Sequence, residues 1–407
     1  MGLYKTTPPF SGRMGALWCL SGIADSAVVE YGCMGHMAYG RTFLNRMGVL
    51  GGKLYSTHIG ETDIAMGDTS RLTKVIRQVS ETEGIKTIFL LPSSVPEITG
   101  IDLNAIAQEL SPQFPDSSLI PLSVGGFDMC GHKGTELTLL HLAKVLSKDI
   151  ARTQSLTFNI IGSCADMYNF LPDAAEIERL VSNTFSANLL CAMTSGTHVS
   201  EIETMGGAHF NLVIRREGEA AAKYLKERYG TPYLMARPYG IDGTLDWLTQ
   251  LEDEFKLQAN KEFIRQEYKR TVEQIKVMQT VLSRFLRAHK DESKLTLAGH
   301  ADVISGIARY GKSAFGFDKT ICFSDCTCMN SQDTRYTTDE IKLELAKDGK
   351  GFLMGSGELL RMGKRKPNLQ IASPDNLWHH AYEPPLVGYR GAVHLATVWA
   401  NEIMQRD

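Results

Sequence analysis

Short apolar runs and longer amphipathic stretches alternate along most of this chain. Ala27–Tyr31, Lys53–His58, Lys86–Leu91 and Leu119–Val124 have the length and β-rich content of strands, whereas Asp68–Thr82 and Leu103–Leu110 carry apolar residues at helical spacing. The alternation predicts parallel βαβ units. It resumes with strands Leu156–Ile161, Asn188–Met193, Phe210–Ile214 and Tyr233–Ala236 and with helices Ala174–Phe185 and Glu217–Tyr229. A charged run without Pro or Gly, Leu245–His289, follows and reads as a connecting helix pair. A last unit has strands Leu295–Ala298, Ile321–Ser324, Gly351–Met354 and Leu369–Ala372 and a closing helix Gly391–Met404. The prediction is an α/β protein of three Rossmann-like domains with parallel sheets, over residues 1–134, 135–244 and 291–407, with connecting helices over 245–290.

Composition narrows the function classes. With 407 residues and a net charge of −3, the chain is too long for one core and has no basic footprint for nucleic acid. Its start, Met1–Phe10, is polar and proline-containing, and no stretch reaches the roughly 18 apolar residues of a membrane span, so a cytoplasmic protein is expected. In that compartment eight cysteines suggest thiols or metal ligands rather than disulfides.

Two of those cysteines stand out. Cys19 and Cys33 each sit where an apolar stretch gives way to glycine, which predicts sulfurs at element ends, open to a bulky inorganic group. Buried structural thiols are the competing reading. Cys322, Cys326 and Cys328 form the densest thiol group, but their C-x₃-C and C-x-C spacings match no common zinc or ferredoxin pattern. Gly306–Ser313 matches the phosphate-loop pattern G-x-x-x-x-G-K-[ST] letter for letter. Because Asp302–Tyr310 reads as the helix, with Gly311 as its C-cap, the match falls at the wrong helix end for phosphate, and no nucleotide is expected on this chain.

The cysteine pair, the run Tyr39–Arg46, the stretch Glu61–Asp68 and the segment Ser93–Asn104, followed near the end by Gly355-Ser356-Gly357-Glu358 and Gly388-Tyr389-Arg390-Gly391, together resemble component 1 of nitrogenase and its relatives. Those relatives include dark-operative protochlorophyllide reductases, cofactor-assembly scaffolds and methylthio-alkane reductases. The resemblance implies an iron–sulfur cluster, 4Fe-4S or the larger P-cluster, shared across a subunit interface by three cysteines from each side. Cys19 and Cys33 would fill two of these positions, and the third falls at Ser94 or Val95. Ser94 as an alkoxide, Cys130 as a substitute thiolate, or only two thiolates per subunit are the options left open. The resemblance also implies an ATP-hydrolysing homodimeric iron protein as electron donor, docking near the position of Met66, and a paralogous alpha-type subunit or a second copy of the chain as partner. At the family's active-site cofactor, the Cys position is Arg215 and the His position falls near His379 and His380. A guanidinium cannot bind iron, so a beta-type subunit of a nitrogenase-like reductase is expected, with a methylthio-alkane reductase favoured among the relatives. An assembly scaffold, or a non-redox binding protein with structural cysteines, are the alternatives.

Overall fold

A computed structural model describes residues 4–46, 53–124, 129–326, 334–336, 338–363, 369–375, 377 and 384–405. Three wholly parallel sheets follow one another along the chain. The first has the order β2-β1-β3-β4, from β1 (Ser26–Tyr31), β2 (Leu54–Ser56), β3 (Thr87–Pro92) and β4 (Ser118–Pro121). The second has the order β6-β5-β7-β8, from β5 (Thr157–Ile161), β6 (Asn188–Ala192), β7 (Phe210–Val213) and β8 (Tyr233–Met235). The third has the order β11-β10-β9-β12-β13, from β9 (Lys294–Gly299), β10 (Lys319–Ser324), β11 (Thr334–Tyr336), β12 (Phe352–Ser356) and β13 (Leu369–Ala372). The central strands β1, β3, β5 and β7 are buried at every position, as strands covered by helices on both faces must be.

The run 245–289 divides into helices Ile241–Phe255 and Lys261–Ala288, and the second packs along the closing helix Gly388–Met404. Two helices that the hydrophobic pattern does not announce join the first and second sheets. Gly12–Ser21 is buried over Gly12–Leu20, and Gly131–Leu146 lies against both it and the helix Glu219–Tyr229. Their crossing is backbone on backbone. A Cβ on Gly15 would lie 2.0 Å from the Gly131 carbonyl oxygen, and one on Gly134 would lie 2.0 Å from that of Gly12, so no side chain fits in this seam.

One cap expectation changes. The helix Ala301–Tyr310 does not stop at Gly311, whose φ of −56° is helical, but continues as a π-turn over Gly311–Phe315 and ends on left-handed Gly316 (φ 79°). Gly306 lies inside the helix, where a Cβ would come within 2.0 Å of the Tyr239 ring. The phosphate-loop letters therefore occupy the carboxyl half of a helix, away from its free amides.

Candidate functional site

Open parallel sheets place their sites beyond the carboxyl ends of the strands. Here the strand ends of the second and third sheets meet the start of the helix Gly131–Leu146. Asp166 follows β5, Arg215 and Glu217 follow β7, His300 follows β9, Asp325 follows β10, and His132 lies in the first turn of the helix. Glu217 is the hub. It accepts from His132 Nδ1 at 2.6 Å, from His300 Nε2 at 3.0 Å and from Arg215 Nε at 2.9 Å, one donor for each sheet unit. Arg215 Nη1 continues to Asp166 Oδ1 at 2.7 Å, and His132 Nε2 to Asp325 Oδ1 at 3.2 Å. Asp302 pairs outward with Arg216, Nη2 to Oδ1 at 2.8 Å.

The electrostatics follow from this wiring. Burial opposes charge on Glu217, yet Arg215, His300 and His132 outweigh it and hold the carboxyl well below its usual range. Burial likewise disfavours an imidazolium at His132, but Asp325 and Glu217 on its two ring nitrogens raise it well above the usual value. Arg215, fully buried, is neutralised by Asp166 and Glu217.

His132, Glu217 and His300 are, among the described residues, the group of His, Cys, Asp and Glu side chains whose ligand atoms converge within 4.8 Å. Their hydrogen bonds argue against a metal. His300 Nδ1 accepts the Asp302 amide at 3.2 Å, which puts the ring proton on Nε2, facing Glu217. A metal-ligating histidine has the reverse arrangement, a lone pair inward and an N–H outward. With Arg215 on the other Glu217 oxygen as well, the trio is an ion-pair knot that ties three domains.

Above the knot lies a cavity of about 420 Å³ that draws on all three sheet units and on the N-terminal segment. His132, Asp166 and Asp325 line its floor, Cys130 and Cys326 one side, and Trp18 another. Asp325 is ringed by protein yet keeps 42% of its side chain open to this space.

The residues expected to bind a cluster separate into three places. Cys19 lies in the last turn of its helix, just before the capping Gly22, but its sulfur is not open as expected. It is fully buried, with its sulfur 3.7 Å from that of Cys164 and 4.0 Å from the Thr135 carbonyl oxygen. Burial and the neighbouring Cys164 raise its pKa well above the usual range, away from the thiolate a metal needs. Cys130 is half-buried and packs with Cys326 and Ala301 beside the cavity. Cys33 and Ser94, both half-buried, stand at the carboxyl edge of the first sheet, each two residues beyond the paired positions Tyr31 and Pro92. Cys322 points from β10 toward the Ile304 carbonyl oxygen in the main core, so it and Cys326 do not share a site. The described cysteines form no disulfide. Cys328, His379 and His380 lie outside the described residues. Arg215, expected to stand in place of a cofactor thiolate, is a structural member of the knot.

Sequence reasoning missed His132, Glu217, His300, Asp325 and Asp166. The strand-end rule would have drawn attention to the last four, since each follows a predicted strand within a few residues.

A cavity enclosed by the strand ends of the second and third sheets, the helix Gly131–Leu146 and the N-terminal segment defines an α/β protein built around a central interdomain site. The chain belongs to the nitrogenase component 1 type oxidoreductase family, whose model matches residues 11–404. It is 29% identical over 135 residues to a light-independent protochlorophyllide reductase polypeptide of Roseobacter denitrificans, covering 33% of this chain and 26% of that one. It is 22% identical over 339 residues to the corresponding polypeptide of a Jannaschia species, covering 78% and 62%. To the nitrogenase iron-molybdenum cofactor biosynthesis protein NifE of Bradyrhizobium diazoefficiens it is 23% identical over 200 residues, covering 48% and 36%. The match to the Roseobacter polypeptide thus spans about a quarter of that protein's length. A solved structure titled nitrogenase Cp1 at pH 6.5 shares the fold, with a TM-score of 0.80 at 16% identity over 100% of this chain and 94% of that one. No described helix is long and apolar enough to cross a membrane.

Proposed function

We propose that this chain is a beta-type subunit of a nitrogenase-like two-component reductase, joined to a paralogous alpha-type subunit through the carboxyl edge of its first sheet and served by an ATP-hydrolysing iron protein. The observation that carries this reading is the apolar surface at that edge. The segments leaving β2, β1 and β3 expose Met66 (77%), Met34 (57%) and Ile98 (69%) around Cys33 and Ser94, more apolar surface than a solvated edge needs. Methionine gives such a surface an adaptable contact.

An interface iron–sulfur cluster supplies one-electron transfer when bound. The residues at this edge fit it only in part: Cys33 offers one thiol, Ser94 one hydroxyl, and Cys19 is closed off in the core. A cluster there would take Cys33 from this chain and most of its ligands from the partner, because thiolate is the preferred ligand. Reductive C–S cleavage of methylthio-alkanes is the substrate reading favoured by the sequence.

The test is anaerobic co-expression with a paralogous subunit and iron protein, followed by iron and acid-labile sulfide analysis. A brown complex is expected, in which Cys33→Ala lowers iron and Cys19→Ala leaves it unchanged. A colourless complex without iron would overturn the relay reading. Cluster content without ATP-dependent turnover would favour an assembly scaffold, a role in keeping with the likeness to NifE.

A further inference from the structure

Residues 4–10 run from the helix Gly12–Ser21 along the cavity to the third sheet unit, and they are held differently at their two ends. At the root the hold is backbone pairing and apolar packing. The Phe10 carbonyl accepts the Gly131 amide at 2.8 Å, Ser11 pairs antiparallel with Cys130, and the Phe10 ring lies edge-on to Trp18 and Phe43, with centroids 4.7 and 5.1 Å apart. At the far end the hold is two carboxylates. Asp339 accepts the amides of Lys5 and Thr6, each at 2.9 Å, and Glu358 accepts the amide and the hydroxyl of Thr7 at 2.6 and 2.7 Å. Lys342 adds a bond to the Thr7 carbonyl oxygen at 3.2 Å.

The two ends differ in how readily they let go. The root belongs to the buried seam of helices, whereas Asp339 and Glu358 are partly exposed, each in the first turn of a short helix, Asp339–Lys347 and Gly357–Met362, where water can replace what they hold. Between the ends, Pro8 and Pro9 are exposed and have no amide to donate. Tyr4, Thr6, Thr7, Pro8, Pro9 and Phe10 all line the cavity, yet Tyr4 keeps 60% of its surface open. Residues that line a cavity on one side and meet solvent on the other form a wall one chain thick.

We propose that residues 4–9 are a strap that opens: Asp339 and Glu358 release the amides of Lys5, Thr6 and Thr7, the chain swings about Pro8 and Pro9, and the central cavity is uncovered while Phe10 stays in place. Release of this kind is local, because the strap buries little apolar surface and few contacts break. The cavity is then entered past the strap rather than through the knot, where Glu217 is tied to three domains. This inference needs neither a cluster nor electron transfer.

Cys130 lines the cavity and is half-buried, so its alkylation reports access. Iodoacetamide labelling of the full chain, followed peptide by peptide in mass spectra, should be about tenfold faster at Cys130 when Asp339→Ala and Glu358→Ala are combined, the gain expected from losing several hydrogen bonds to two partly exposed carboxylates. Cys33, half-buried at the edge of the first sheet, and Cys191, buried in the second unit, should keep their wild-type rates. Hydrogen exchange in the wild type needs no variant. The Thr6 and Thr7 amides should exchange more slowly than in the denatured chain, because the latch holds them, yet about a hundredfold faster than those of Trp18 and Leu20, because the strap opens without the helix. An unchanged Cys130 rate, a parallel rise at Cys33 and Cys191, which would make the two carboxylates props of the whole fold, or strap amides as slow as those of the helix would each overturn the proposal. Because these readouts use the chain alone, they stand or fall separately from the electron-relay reading.

Discussion

The carboxyl edge of the first sheet and the knot beneath the central cavity occupy equivalent positions in their sheets, yet they are built oppositely. At the edge, Cys33 and Ser94 sit among exposed apolar side chains, and few polar contacts hold them. In the knot, Glu217 is nearly inaccessible and receives a donor from each of three domains. The difference separates two uses of a strand end. A surface left apolar and unpaired is the edge that the proposed function gives to a partner, whereas a charge buried among fixed partners fixes the shape of its own chain.

The sharpest way to break this contrast is to remove the hub. Glu217→Ala leaves Arg215 and His132 without their shared carboxylate, and urea denaturation should show a loss of roughly 3–5 kcal/mol, the cost of stranding a buried charge. His132→Gln should cost less and depend on pH. The His132 pKa is raised on folding from an ordinary value of 6.5, so its contribution is complete below about pH 6.5 and disappears as pH rises through the folded-state value. Wild type and variant midpoints should therefore differ most at acid pH and converge in alkali; a constant gap would mean that His132 acts by packing alone.

Cys19→Ala removes a buried sulfur and should cost about 1 kcal/mol, similar to other small core truncations, with the effect read in the denaturation midpoint. Cys33→Ala, at the half-buried edge, should change stability by less than about 0.5 kcal/mol. If the two costs were reversed, the assignment of core and edge would be wrong. The smallest effect on the chain itself belongs to Ile98→Asp, within about 0.5 kcal/mol, while co-purification with a paralogous subunit should fail because a charge has entered the apolar surface. Retained co-purification would move the interface elsewhere.

Much of the fold is legible because central parallel strands are apolar on both faces: Thr87–Pro92 and Thr157–Ile161 announce themselves as runs. Thr334–Tyr336, three residues with an arginine in the middle, carries no such signal. The helix Gly12–Ser21 is buried nearly all round, so it has no polar stripe to reveal its period, and the pattern does not show that Cys19, in its last turn, is closed off in the core. Glycines at 131 and 134 hide the start of the helix that carries His132. The knot is illegible for a different reason. Glu217 lies 85 positions from His132 and 83 from His300, and only the meeting of three sheets makes them neighbours.

The glycine seam between Gly12–Ser21 and Gly131–Leu146 has a mechanical consequence. Two helices in backbone contact have no side-chain cushion at their crossing, so they pack as a single beam. One end of that beam holds His132 over the cavity, and the other runs through the turn at Gly22 into β1, whose far end leads to Cys33. The cavity wall and the carboxyl edge of the first sheet are therefore joined along the chain through one backbone-on-backbone crossing.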